Sequence, residues 1–124
     1  MIAAHGDVAA GLVSAVGQIT GRADDFATLS NRGLCAGDIE RDLRALLAES
    51  GARVIFTDLP GGSCTIAARR VARDAPDLVL VTGVNLAALL DFACNDGAAP
   101  ADAARQAADR GRAAVAASGA PGAG

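Results

Sequence analysis

The stretch RVIFTDLPGGSCTIAARRVA, residues 53–72, changes its apolar spacing halfway along. Its opening, residues 53–58, is a short apolar run of the kind that forms a buried β-strand. After the turn-forming LPGGS, the apolar residues return at helical spacing. The stretch therefore predicts a strand, a glycine-rich turn and a helix, which together are the repeating unit of an α/β fold.

The same change between short apolar runs and helical spacing repeats along the rest of the chain. Because the strands are continuous apolar runs, they favour a parallel sheet that is covered on both faces. The sequence predicts an α/β fold, an open three-layer sandwich in which a mostly parallel sheet of four to five strands has helices on both faces. The predicted strands are residues 2–4, 26–30, 53–58 and 78–83, and the predicted helices are residues 8–20, 39–50 with Asp38 as N-cap, 64–72, 85–95 and 101–117.

Length and composition narrow the function classes. The 124 residues fit one compact domain, which we expect over residues 1–117, followed by a flexible tail over residues 118–124. A net charge of −3 without Trp or Tyr makes a poor nucleic-acid binder. Three widely spaced cysteines and one histidine argue against a disulfide framework and against a metal site.

The apolar runs also bear on location. The longest are far short of the roughly 20 residues that span a bilayer. The N-terminus shows neither the basic region nor the apolar region of a signal peptide. These features predict a cytoplasmic protein whose cysteines are free thiols.

The candidate site lies where the predicted strands end, because ligands of open α/β folds bind outside the carboxyl ends of the strands. The first strand ends in His5 and Gly6, the third in residues 58–63 and the fourth in residues 82–85. His5 is the only histidine of the chain, and near neutral pH such a ring offers a nucleophilic nitrogen. A lone histidine is more often a packing residue, but this position favours a chemical role.

The turn after the third strand has the features of an anion-binding loop. Backbone N–H groups near Gly61 and Gly62 would face a phosphate at a helix N-terminus, and the Ser63 and Thr65 hydroxyls could add donors. The same glycines also suit an ordinary tight turn. Because the chain has no lysine and no GxGxxG, the loop is neither a P-loop nor a dinucleotide fingerprint.

Asp58 ends the third strand directly before this loop. It could cap the turn or helix, a contribution of about 1 kcal/mol. It could instead hold one ring nitrogen of His5 as N–H and leave the other nitrogen free to react. On the second interpretation His5 and Asp58 form a catalytic pair, and Gly6 lets a ligand approach the backbone closely.

Three motifs resemble the IIA component of the mannose family of the bacterial phosphoenolpyruvate-dependent sugar phosphotransferase system. They are AHG at residues 4–6, TDLPGGSCTIAARR at residues 57–70 and VTGVNLAALLDF at residues 81–92. Each motif alone is weak, but their order and spacing match the family, and the resemblance covers almost the whole chain.

The resemblance implies a IIA-like phosphocarrier domain over residues 1–117. His5 would accept a phosphoryl group from the phosphocarrier HPr and pass it to a separate IIB protein, while Asp58 holds the other ring nitrogen. The family also implies a homodimer, no cofactor, no metal and contact with the membrane only through permease subunits. The residues expected to bind the phosphoryl oxygens are Gly6, Gly61, Gly62, Ser63 and Thr65.

Three other functions remain compatible with the sequence. The chain could be a regulatory module phosphorylated on His5 but not coupled to transport. It could be the IIA-like subunit of a dihydroxyacetone kinase system, which also uses a histidine at a strand end. It could also be a flavodoxin-like binding module, for which a His5→Ala change would alter nothing measurable.

Overall fold

The computed structural model describes residues 1–120 and 122, over which four strands alternate with five α-helices and one short 3₁₀ helix. The strands are β1 (Ile2–Ala4), β2 (Thr28–Ser30), β3 (Val54–Thr57) and β4 (Val79–Val81). The helices are α1 (Val8–Thr20), α2 (Ala36–Ser50), α3 (Ser63–Arg73), α4 (Leu86–Ala93) and α5 (Pro100–Ala114), and the 3₁₀ helix is Ala23–Asp25.

The strands form one parallel sheet in the order β2-β1-β3-β4, with β1 and β3 at its centre. In this register Ala4 pairs with Ser30, and Ala3 pairs with Thr57. The strands β1, β2 and β3 therefore end close together, at one edge of the sheet. The predicted α/β fold with a parallel sheet is confirmed.

Side chains of the central strands alternate between two apolar layers. Ile2, Ala4 and Phe56 pack in the layer that includes α1, α4 and α5. Ala3 and Ile55 point to the other face and pack with α2 and α3. Because β1 and β3 are buried on both faces, both of their side-chain rows must be apolar, which explains the continuous apolar runs in the sequence.

Two predicted helix boundaries, the start of α2 and the end of α5, differ from the structure by three residues. The N-cap of α2 is Cys35, and Asp38 lies inside the first turn, where its carboxylate accepts the backbone N–H of Cys35 and forms a capping box. Helix α5 ends at Ala114, earlier than predicted, where Val115 turns to extended backbone. Strand β2 also starts two residues later than predicted, at Thr28. Residues 121, 123 and 124 of the predicted tail lie outside the described residues.

Asn85 joins α4 to α5 next to the edge where the strands end. Its Oδ1 accepts the N–H of Ala88 at 3.0 Å and caps α4, and its Nδ2 donates to the carbonyl oxygen of Gly111 at 2.9 Å. A Cβ on Gly111 would lie 3.0 Å from both the Asn85 Oδ1 and the Ala88 Cβ, so glycine lets the two helices approach closely. Asn85, which belongs to the VTGVNLAALLDF motif, therefore supports helix packing.

We expect Asn85→Ala to lower the free energy of unfolding by about 2 kcal/mol, because it removes a helix cap and a hydrogen bond to a carbonyl group. Urea denaturation measures the loss. Asn95→Ala is the matched control, since it removes only an exposed side-chain pair with Gln106, and we expect a change below about 0.5 kcal/mol. Equal losses in the two variants would contradict this role of Asn85.

Candidate active site

His5 is the first residue after β1, and its ring lies at the edge where the strands end. Its backbone carbonyl accepts the N–H of Val8 at 3.1 Å, at the start of α1. The side chain is 39% exposed, so an incoming group can reach the ring. The backbone of His5 is thus fixed between a strand and a helix while its ring stays accessible.

Asp58 follows β3 directly and lies beside His5, because β1 and β3 are parallel neighbours. Its Oδ2 is 2.9 Å and its Oδ1 3.1 Å from the Nδ1 of His5. The Oδ2 also accepts the backbone N–H of His5 at 3.0 Å. Since an ionised carboxylate only accepts hydrogen bonds, the ring proton belongs on Nδ1, and Nε2 keeps its lone pair. The structure brings the two residues of the predicted catalytic pair together.

Opposing effects set the pKa of Asp58. Burial is the largest single effect and raises the pKa, but the backbone N–H and the ring of His5, together with the backbone N–H of Asp58 itself, lower it by more. The pKa of Asp58 therefore lies below its ordinary value. At neutral pH the carboxyl group is ionised and its negative charge faces the ring of His5.

The lowered pKa gives a prediction for stability in acid. A carboxyl whose pKa is lower in the folded than in the unfolded state stabilises the fold above its unfolded pKa, near 4, and this contribution is lost as the pH falls through the folded pKa. The free-energy advantage of the wild type over Asp58→Asn should therefore shrink between about pH 5 and about pH 2.5. Urea denaturation of both proteins at the two pH values tests this, and an advantage that grew on acidification would contradict it.

The Nε2 side of the His5 ring faces Gly62, which precedes α3. A Cβ on Gly62 would lie 3.1 Å from the Cε1 and 3.5 Å from the Nε2 of His5. Gly62 has φ +88° and ψ 171°, a conformation that is essentially restricted to glycine. It caps α3 without a side-chain hydrogen bond, so the first N–H groups of α3 have no partner within the helix. A negatively charged group on Nε2 would therefore lie close to the N-terminus of α3 and its dipole.

The other residues predicted to bind phosphoryl oxygens take two kinds of position. Gly61 is exposed in the turn, and Ser63 is the half-buried first residue of α3, so both lie beside Gly62. Gly6 has its N–H bonded to the Oδ1 of Asn31 at 3.1 Å. The N–H of Gly6 is therefore already used within the protein.

Thr65 is buried, and its hydroxyl is bonded within the protein. It is 1% exposed, and its hydroxyl donates to the carbonyl oxygen of Leu59 at 2.6 Å. The Thr65 hydroxyl oxygen also lies 2.7 Å from the hydroxyl oxygen of Thr57 at the end of β3. This hydroxyl thus holds the loop between β3 and α3 against the sheet, and its proton is not available to a bound group.

Ser30 and Asn31 contact the segment after β1, although the sequence pattern did not point to them. The Ser30 hydroxyl donates to the carbonyl oxygen of Gly6 at 2.8 Å, and the Asn31 side chain accepts the N–H of the same residue. The strand order explains why both residues lie here, because β2 is next to β1 and ends at the same edge. The strand-end rule applied to the second predicted strand would have identified them.

Exposed apolar side chains lie on the segments that carry the site. Val8 at the start of α1 is 43% exposed, Leu59 after Asp58 is 50% exposed, and Ile66 in the first turns of α3 is 46% exposed. An ion pair between Arg32 and Asp7 lies on the same side, next to Gly6. Exposed apolar groups of this kind suit contact with another protein.

The three cysteines are free, and Cys64 is buried at the start of α3. Burial, together with the charge of Asp58, raises the pKa of the Cys64 thiol, which therefore stays protonated at neutral pH. Within the described part of the chain, no group of three or more His, Cys, Asp or Glu side chains could hold a metal ion. No helix over residues 1–120 is long and apolar enough to cross a membrane.

A family model described as PTS system fructose IIA component matches residues 1–108. Among solved structures, the mannose/sorbose specific IIA subunit of the phosphotransferase system from Enterococcus faecalis is similar, with 24% identity, a TM-score of 0.83 and coverage of 98% of this chain and 94% of that chain. The phosphotransferase system component EIIA from Streptococcus agalactiae has 18% identity, a TM-score of 0.84 and coverage of 94% and 93%. At these identities the two structures show a shared fold. A search of curated proteins gave no match.

Proposed function

The chain belongs to the EIIA-man family of phosphotransferase-system IIA components, and on this premise we propose that His5 carries a phosphoryl group between two proteins. Members of the family are phosphotransferases of sugar transport. The observation that carries the proposal is the ring of His5, held through Nδ1 by Asp58 while Nε2 faces the start of α3. Residues 1–117 form the carrier domain on this proposal, and residues 118–124 form its tail.

The proposed step is a nucleophilic displacement at phosphorus. The lone pair of Nε2 forms a bond to the phosphorus of a phosphohistidine on the donor protein. The donor's phosphorus–nitrogen bond breaks, and its electron pair stays on the donor nitrogen. The proton remains on Nδ1, so the phosphorylated ring of His5 carries a positive charge that the Asp58 carboxylate stabilises. Transfer to the acceptor reverses these changes and returns His5 to its neutral form.

The start of α3 would bind the phosphoryl oxygens in this reaction. Gly62 faces Nε2, with Gly61 and Ser63 on either side of it in the chain, and there the backbone N–H groups, the helix dipole and the Ser63 hydroxyl would favour negative charge. Gly6 and Thr65 are left out of this set, because their polar hydrogens are bonded within the protein. Phosphoryl transfer depends mainly on positioning and charge stabilisation, and these three residues together with His5 and Asp58 supply both.

The partners follow from the family resemblance and from the exposed surface. We propose HPr as the donor and a separate IIB protein as the acceptor, both in the cytoplasm. Exposed Val8, Leu59 and Ile66 beside the site offer apolar contacts that either partner could use in turn.

Intact mass spectrometry after incubation with phosphoenolpyruvate, enzyme I and HPr tests the proposal. We expect one acid-labile phosphoryl group per chain. Trypsin cleavage after Arg22, carried out without acid, should place this group on the peptide of residues 1–22, which contains the only histidine. His5→Gln, checked for folding by circular dichroism, is the control and should remain unmodified.

Each outcome of this experiment has a distinct meaning. A folded wild type that gains no phosphoryl group, or gains it on another peptide, overturns the carrier role of His5. If the group appears on His5, adding a IIB protein should discharge it. A phosphorylated protein that discharges only to a nucleotide-bound dihydroxyacetone kinase subunit, or to no carrier protein, overturns the sugar-uptake role and supports the kinase-system or the regulatory alternative.

A further inference from the structure

The peptide groups on both sides of Gly6 are held by two residues of the neighbouring strand end. The Asn31 Oδ1 accepts the N–H of Gly6 at 3.1 Å, and the Ser30 hydroxyl donates to the Gly6 carbonyl oxygen at 2.8 Å. The backbone N–H of Arg32 donates to the same Ser30 oxygen at 3.1 Å. Since a carbonyl oxygen can only accept, the Ser30 hydroxyl proton is directed toward Gly6 while the Ser30 oxygen accepts from Arg32. We call Ser30 and Asn31 the Gly6 clamp.

The register of the sheet explains why the clamp lies there. Ala4, the last residue of β1, pairs with Ser30, the last residue of β2. The N–H of Asn31 then donates to the carbonyl oxygen of Ala4 at 3.1 Å and extends the ladder by one bond. The side chain of Asn31 is thereby placed next to the chain segment that leaves β1, directly after His5.

We propose that Ser30 and Asn31 are positioning residues for phosphoryl transfer, which hold the ring of His5 against Asp58 and Gly62 by fixing the peptide groups of Gly6. This inference rests on the proposed carrier function of His5. Neither residue touches the reacting atoms. Both act through the backbone of Gly6.

Gly6 is the point at which the segment between β1 and α1 needs such support. Its φ of +55° is left-handed, and glycine has more backbone freedom than any other residue. On the β1 side, His5 is fixed by the bond from its backbone N–H to Asp58. On the other side, the clamp restricts rotation about the backbone of Gly6, together with the bond from the Val8 N–H to the His5 carbonyl oxygen. Without the clamp, the His5 ring could leave the position in which it contacts Asp58 and Gly62.

The surroundings of the ring leave little tolerance for movement. The ring lies close enough to Gly62 that a single added carbon atom there would crowd its Cε1. A misplacement of about 1 Å can lower the rate of a positioned reaction by about a hundredfold. A clamp that only stabilised the turn would affect unfolding but not the rate constant of transfer in the folded protein.

The test compares phosphoryl transfer in Ser30→Ala, Asn31→Ala and the double variant with the wild type. Rapid quench measures the rate constant from phospho-HPr to His5 at saturating donor, together with the donor concentration for half-saturation. We expect about a tenfold loss in rate constant for each single variant and up to a hundredfold loss for the double variant, with half-saturation changed less than about threefold. Ser30→Thr keeps the hydroxyl and should restore the wild-type rate constant.

Controls separate positioning from folding. Asn95→Ala removes an exposed side-chain hydrogen bond at the far end of α4 and should transfer at the wild-type rate. Urea denaturation shows whether each variant is folded at the assay temperature. If an alanine variant is unfolded, Ser30→Cys and Asn31→Ser take its place, since they weaken or shorten the contact while remaining polar.

The outcomes distinguish this inference from the function on which it rests. Folded clamp variants that transfer at the wild-type rate overturn the positioning role and leave the carrier function in place. A wild type that is never phosphorylated on His5 overturns the carrier function itself. Slower transfer that Ser30→Thr does not restore also contradicts the clamp, because the hydroxyl would then not be the group responsible.

Discussion

Asp58→Asn is expected to lower the rate constant of phosphoryl transfer to His5 by about 10³-fold. In the wild type, the carboxylate accepts both the backbone N–H and the ring Nδ1–H of His5. An amide has one accepting oxygen, and its NH₂ group can instead donate to Nδ1 and move the ring proton to Nε2. That tautomer has no lone pair on the nitrogen that faces α3. The amide also lacks the negative charge that stabilises the phosphorylated ring.

Single-turnover transfer from phospho-HPr measures this loss, and ¹⁵N NMR of the His5 ring shows which nitrogen carries the proton. Asp91→Asn is the matched control, because Asp91 is also mostly buried but lies on α4 beside Arg110. We expect the control to transfer at the wild-type rate. A rate for Asp58→Asn within about threefold of the wild type would show that His5 reacts without an orienting carboxylate.

Gly62→Ala is expected to lower the free energy of unfolding by about 1–3 kcal/mol and the transfer rate constant by at least about a hundredfold. The backbone of Gly62, at φ +88° and ψ 171°, is strained for any residue with a Cβ. The added Cβ would lie 3.1 Å from the Cε1 of His5, so the ring must move away from its present position. Strain accounts for the loss of stability, and displacement of the ring accounts for the loss of rate.

Gly51→Ala separates these two effects. Gly51 ends α2 at φ +69°, and a Cβ there would meet no atom within 4 Å. This control should lose about 1 kcal/mol of stability, as expected for a left-handed residue with a side chain, and keep its transfer rate. Equal transfer rates in Gly62→Ala and Gly51→Ala would mean that the His5 ring does not depend on its contact with Gly62.

The fold could be predicted largely from apolar spacing. Short runs buried on both faces, such as residues 53–58, leave few alternatives to parallel strands, and the strand-end rule brought His5 and Asp58 to one edge. Helix ends were harder to predict, because Asp38 is a good N-cap residue and a good third residue of a capping box. Only the path of the chain decides between these two positions.

Site residues could be predicted from the sequence when their role follows from their position at the end of a strand. They could not be predicted when their role depends on which hydrogen bonds their side chains make. Thr65 follows the glycine-rich turn in sequence, but its hydroxyl donates to the carbonyl oxygen of Leu59 and is not available to a bound group. Ser30 ends the second predicted strand and Asn31 follows it, so the strand-end rule would place both near the site, but their contact with Gly6 depends on which strand lies next to β1. Strand order is a long-range property that no local pattern contains.

The strand order has a consequence for synthesis on the ribosome. Strand β1 leaves the ribosome before the other three strands, yet it lies at the centre of the sheet between β2 and β3. His5 and Asp58 are 53 residues apart in the chain, so at about 5–20 residues per second the nascent strand waits on the order of 3–10 s for its second neighbour. During that interval one edge of β1 is unpaired and apolar, which makes the nascent chain a target for chaperones until β3 emerges.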